Sequence, residues 1–136
     1  MKVYNGDNKI LGRLATQIAE DLLSGEEVRV VNAEKITITG RKNKILAKYR
    51  KNRERGKIRK GPYYPRRPEQ IFKRTVRGML PYQKPRGRKA LKRFRAYIGI
   101  PKGFEEKEFQ GEGLKKAQGI KGITLKEVSE YLGAKF

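Results

Sequence analysis

Residues 11–31 read LGRLATQIAEDLLSGEEVRVV. Leu11, Leu14, Ala15, Ile18, Ala19 and Leu22 recur at the three- and four-residue spacing that lines one face of an α-helix. Gly25 follows where a helix commonly ends in left-handed backbone. VRVV (28–31) is β-branched and suits a buried strand. Upstream, Lys2–Tyr4 fits a short strand and Asn5-Gly6-Asp7-Asn8 a turn. Downstream, ITIT (36–39) alternates Ile with Thr and Gly40 closes it. The first part of the chain therefore predicts β-α-β-β. Its β-α-β portion implies a right-handed crossover and a parallel strand pair.

Beyond residue 41 the character of the chain changes. KNKILAKYRKNRER (42–55) predicts a helix with Ile45, Leu46 and Tyr49 on one side and Lys44, Lys48, Lys51 and Arg55 as a stripe on the other. Gly and Pro make 56–68 a loop. Pro68 suits the first position of a further helix, in which Ile71, Phe72, Thr75, Val76 and Met79 share a face, while Lys73, Arg74 and Arg77 point away. That helix is expected to end at Leu80, before Pro81 turns the chain. A short helix around 86–94 offers Ala90, Leu91 and Phe94 inward, and AYIGI (96–100) predicts a strand. Residues 101–121 read as a surface excursion. Thr124 and Glu127 form a capping box that opens a last helix, with Leu125, Val128 and Leu132 as its apolar side and Gly133 as its end.

Charge is distributed as unevenly as hydrophobicity. The 136 residues carry 35 Lys and Arg against 14 Asp and Glu, a formal net charge of +21. Residues 41–95 alone hold 23 of those cations and 2 of the acids, so the ends are electrically balanced and the whole excess sits in the middle. Heat-adapted ion-pair networks raise Lys and Glu together, which this block does not do. Repulsion among so many cations opposes compactness, and a polyanionic partner is the expected remedy.

Several chemistries are disfavoured. Without Cys there is no disulfide, thiolate metal site or Cys nucleophile, and without His the commonest general base is missing. No apolar run approaches the length of a membrane span, and MKVYNGDNK has no signal-peptide core. The expectation is a single soluble cytosolic domain over 1–136, with a basic central region 41–95 and a C-terminal excursion plus helix 101–136. GDNKILGR (6–13) stands at a strand-to-helix junction but lacks the residues of a P-loop or dinucleotide turn; it reads as an ordinary turn from which Arg13 can reach a phosphate. Glu105, Glu106 and Glu108 read as a solvated acidic loop rather than a metal site. Tyr63 and Tyr64 stand among cations, either to stack on bases or to pack on the protein.

LGRLAT (11–16), VRVVNAEKITITG (28–40), IFKRTVRGMLP (71–81) and RGRKAL (86–91), in this order and spacing, resemble the family of large ribosomal subunit protein thirteen. LGAKF at the end and the short LLSGEEVRVV connection resemble its archaeal-type branch. The resemblance implies a three-layer α/β/α fold with a mostly parallel sheet of about four strands. It implies a non-enzymatic structural protein of the large subunit that needs no cofactor, membrane or small-molecule substrate. Its implied partners are large-subunit ribosomal RNA and neighbouring ribosomal proteins. The residues expected to face RNA are Arg13; Arg41, Lys44, Lys48, Arg50, Lys51, Arg53 and Arg55; Lys57, Arg59, Lys60, Tyr63, Tyr64, Arg66 and Arg67; Lys73, Arg74 and Arg77; and Lys84, Arg86, Arg88, Lys89 and Arg93. Two other readings stay open on composition: a free RNA-binding translational regulator, and a nuclease or nucleotide-dependent enzyme, which the absence of His, Cys and any complete phosphate-loop motif disfavours.

Overall fold

The computed structural model describes residues 2–56, 59–104 and 121–135. Strand β1 (Lys2–Asn5), helix α1 (Leu11–Leu23) and strand β2 (Val28–Val31) form the expected unit, with β1 and β2 parallel. Leu14, Ile18 and Leu22 of α1 are completely buried, and each contributes about 1.5–3 kcal/mol of apolar burial. Gly25 lies at φ +99, its N–H bonded to the Leu22 carbonyl and that of Glu26 to the Asp21 carbonyl. This left-handed cap satisfies carbonyls that the helix leaves open.

The parallel sheet has the order β1-β2-β4, where β4 is Phe94–Ala96. Val28 and Val30 face the main core and Val31 the other side, and all three are completely buried. Burial on both faces is what a parallel strand requires, and the α/β class with its layered arrangement holds. The sheet is three strands wide rather than about four, because the Ile-Thr segment leaves it. Strand β3 (Thr37–Thr39) pairs antiparallel with β5 (Gly122–Thr124) in a separate small sheet. β4 also begins and ends earlier than 96–100. Its partner strand stops where Asn32 turns left-handed at φ 54, and beyond Ala96 the chain bonds that turn instead, through Gly99 O to Asn32 N at 2.8 Å.

Helices α2 (Lys42–Glu54), α3 (Pro68–Gly78) and α4 (Pro85–Lys92) carry the basic block, and α5 (Leu125–Tyr131) closes the described chain with its capping box formed. Ile71, Phe72 and Val76 of α3 are completely buried, and the ring of Phe72 meets that of Phe94 at 5.9 Å. Phe94 thus packs inward from β4 and not from a helix. Met79 is a correction to the expected inner face: it caps α3 and is 41% exposed. The helix ends before it, and Leu80 takes the buried place as the chain turns at Pro81.

Asp21 is a charge on the buried side of α1. It accepts from Lys2 Nζ at 3.1 Å, Gln17 Nε2 at 3.4 Å and the Tyr4 hydroxyl. These bonds tie β1 to α1 and compensate the burial of the carboxylate. Burial, followed by the bond to Asp21, raises the pKa of the Tyr4 phenol.

Candidate nucleic-acid interface

The α2 stripe is built as its spacing predicts. Ile45 and Tyr49 are buried, and Arg41, Lys44, Lys48, Lys51 and Arg55 are exposed. Arg50 is exposed and pairs with Glu54 at 3.0 Å, one turn further on. Arg53 behaves differently. It is half-buried, and its Nη1 donates to the carbonyl of Tyr64.

That bond anchors the loop in front of α3. Tyr64 packs beside Tyr49 with ring centroids 6.1 Å apart, and Arg74 of α3 lies 5.6 Å above the Tyr64 ring. Arg74 Nη2 also donates to the Tyr63 carbonyl at 3.2 Å. The two tyrosines differ: Tyr64 packs on the protein, whereas Tyr63 is 59% exposed. Burial pushes the Tyr49 phenol up to about 12, with Tyr64 adding to the shift. Burial also raises the Tyr64 phenol, opposed by the Arg74 charge. Arg59, Lys60 and Arg66 are exposed, as is Arg67, which pairs with Glu69 at 2.8 Å. Lys57 lies outside the described residues, as do Glu105, Glu106 and Glu108.

On α3, Lys73 is exposed while Arg74 and Arg77 are half-buried. Arg77 lies 4.7 Å above the ring of Tyr82. Lys84, Arg86, Arg88 and Lys89 project from the turn into α4 and from its first turns, with Arg88 Nε donating to the Tyr82 carbonyl at 3.2 Å. Arg93 turns inward: it is half-buried, and its Nη2 donates to the carbonyl of Leu22 at 2.6 Å, capping α1 from the far side of the sequence. Arg13 is exposed on the first turn of α1, apart from the block in sequence. The turn before it is held by local bonds, from Asp7 N to Asn5 Oδ1 at 3.0 Å and from Lys9 N to Gly6 O at 3.3 Å.

Clefts lie along this cationic surface. One, of about 380 Å³, is lined by Arg50, Arg53, Glu54, Arg66, Tyr131 and Leu132. Beside it, Arg53, Arg55, Pro62, Tyr63 and Arg66 line another. Tyr131 is a surface residue that the sequence reading passes over. Its only signal is an aromatic outside the apolar stripe of the last helix. Among the described residues no group of carboxylates is arranged to hold a metal ion, and no helix is long and apolar enough to cross a membrane.

The model of a family described as ribosomal protein L13 matches residues 1–103, the whole basic block included. The chain belongs to the ribosomal protein L13 family. Large ribosomal subunit protein uL13 of Archaeoglobus fulgidus is 48% identical over 135 residues, covering 96% of this chain and 86% of that protein. Proteins of the same name from Methanosarcina barkeri and Methanocaldococcus jannaschii are 45% and 46% identical, and each match covers 100% of both chains. These relatives are archaeal proteins, in line with the archaeal-type resemblance of the sequence. They align beyond residue 103, so α5 and its Tyr131 belong to the shared length of these L13 proteins.

Proposed function

We propose that this chain is a structural constituent of the large ribosomal subunit that binds large-subunit ribosomal RNA through residues 41–95 and supports subunit assembly. In this role it works in the cytoplasm, beside other ribosomal proteins and without catalysis. The observation that carries the reading is the arrangement of cations: Lys44, Lys48 and Lys51 on α2, and Lys84, Arg86, Arg88 and Lys89 around the α3–α4 turn, are all exposed on elements whose apolar sides are buried. The cations are thus mounted on a rigid base, with only Glu54 and Glu69 as acids in the block. Such a surface neutralises phosphates of adjacent RNA helices, and each contact releases condensed counterions. Arginines add bidentate bonds to phosphate oxygens.

The test is binding to a large-subunit ribosomal RNA transcript across a range of salt. Contact with ~8 phosphates gives a log–log slope of roughly −6 to −7. Reversal of Lys44, Lys48 and Lys51 to Glu together is expected to abolish binding while circular dichroism stays native. Affinity indifferent to salt would overturn the reading. Retention of the protein on ribosomes through a high-salt wash separates a subunit component from a free regulator, which leaves with the wash.

A further inference from the structure

The cleft between α2, the loop before α3 and the end of α5 contains parts that a phosphate-tracking face does not need. Arg53 is half-buried and fixed by the Tyr64 carbonyl, so its guanidinium is oriented before any ligand arrives. Arg50 holds Glu54 at 3.0 Å, which offsets the carboxylate in the cleft, and it lines that cleft together with Tyr131. Arg66 closes the side formed by the loop. Tyr131 is 47% exposed, although Leu125 and Val128 of the same helix are completely buried. An aromatic ring thus stands in contact with water beside three guanidinium groups.

A duplex cannot enter a recess of about 380 Å³. A single nucleotide can, since pockets for small ligands begin at about 300 Å³. RNA is recognised at unpaired positions by aromatic rings and guanidinium planes that take the unstacked base, while cations hold its phosphate. An acidic side chain of another protein would satisfy the guanidinium groups but leave the tyrosine ring wet. We infer that this cleft receives one unpaired nucleotide extruded from RNA, its base on Tyr131 and its phosphate between Arg53 and Arg66. The inference rests on the RNA-binding reading above and extends the site to the C-terminal helix.

The chain has no Trp, so Tyr131→Trp introduces a single indole emitter. Titration with a large-subunit ribosomal RNA transcript is expected to quench that emission in step with binding. Tyr131→Phe is expected to keep wild-type affinity, because the ring face is retained. Tyr131→Leu is expected to weaken binding about tenfold, the loss of one base–ring stack, with the salt slope unchanged because no phosphate contact is removed. Salt-dependent binding with unmoved emission, or wild-type affinity in the Leu variant, overturns the inference and leaves the RNA-binding reading standing. Absence of salt-dependent binding by the wild-type chain overturns both.

Discussion

The α-carbon of Gly87 rests against the carbonyl of Pro81, so close that an added Cβ would lie 2.0 Å from that oxygen. Gly87 is in the first turns of α4, and Pro81 is in the turn that leaves α3. The contact sets how the two helices meet and where Lys84, Arg86 and Arg88 project between them. Both contact partners are backbone, so no side-chain rotation relieves a clash. Gly87→Ala is expected to destabilise the fold by about 1–3 kcal/mol, the usual cost of forcing atoms into packed space. Urea denaturation measures it. Gly78→Ala is the control, since nothing lies within 4 Å of a Cβ built there.

Arg53 and Tyr64 supply a second prediction. The bond from Arg53 Nη1 to the Tyr64 carbonyl joins the last turn of α2 to the loop. Arg53→Met keeps much of the apolar stem and removes the donor. Hydrogen exchange at the described loop amides, 59–67, is expected to accelerate, while exchange in the β1-α1-β2 unit stays unchanged. Global stability should fall by about 1.5–3 kcal/mol, the range for a bond from a charged donor.

Tyr49 makes stability depend on alkaline pH. Its phenol is pushed from 10.0 up to about 12 by burial, so the folded chain holds the neutral form. In the unfolded chain the phenol ionises near 10. Its contribution is therefore complete below about pH 10 and is lost as pH rises toward about 12. The full loss is on the order of 3 kcal/mol. Tyr49→Phe cannot ionise. Between about pH 9 and about pH 11.5 its unfolding free energy is expected to fall less than that of the wild type. All other side chains are common to the two proteins, so the difference between them reports Tyr49.

The parts of the fold legible in sequence are those made by local periodicity. Six apolar residues at helical spacing identify α1, Gly25 its end, and the valines of VRVV the buried strand. β5 was not legible, because it has three residues, one of them Gly122, and its partner Thr37–Thr39 lies far back in the chain. Only the antiparallel register makes it a strand. The site divides in the same way. Exposure of Lys44, Lys48 and Lys51 follows from helical spacing alone. The difference between Tyr63 and Tyr64 does not, because it depends on Tyr49 and Arg74 arriving from two helices. Tyr131 is not legible in sequence for the same reason: its neighbours Arg50 and Arg66 come from elements distant in sequence.

Cations that look alike in sequence are expected to separate by experiment. Lys48 is exposed on α2, whereas Arg93 is half-buried and bonds the Leu22 carbonyl at 2.6 Å, with its buried Nε lacking a bond among the described residues. Arg93→Ala removes a charged donor from a helix end and is expected to cost about 1.5–3 kcal/mol of stability. The salt slope for RNA binding should stay as it is, because the guanidinium is already committed within the protein. Lys48→Ala is expected to leave stability within about 0.5 kcal/mol and to reduce the magnitude of the salt slope by roughly 0.7–0.9, the share of one phosphate. Denaturation and salt titration of the two variants side by side measure both quantities. If Arg93→Ala changed the slope and Lys48→Ala did not, Arg93 would be the surface cation and Lys48 the scaffold one.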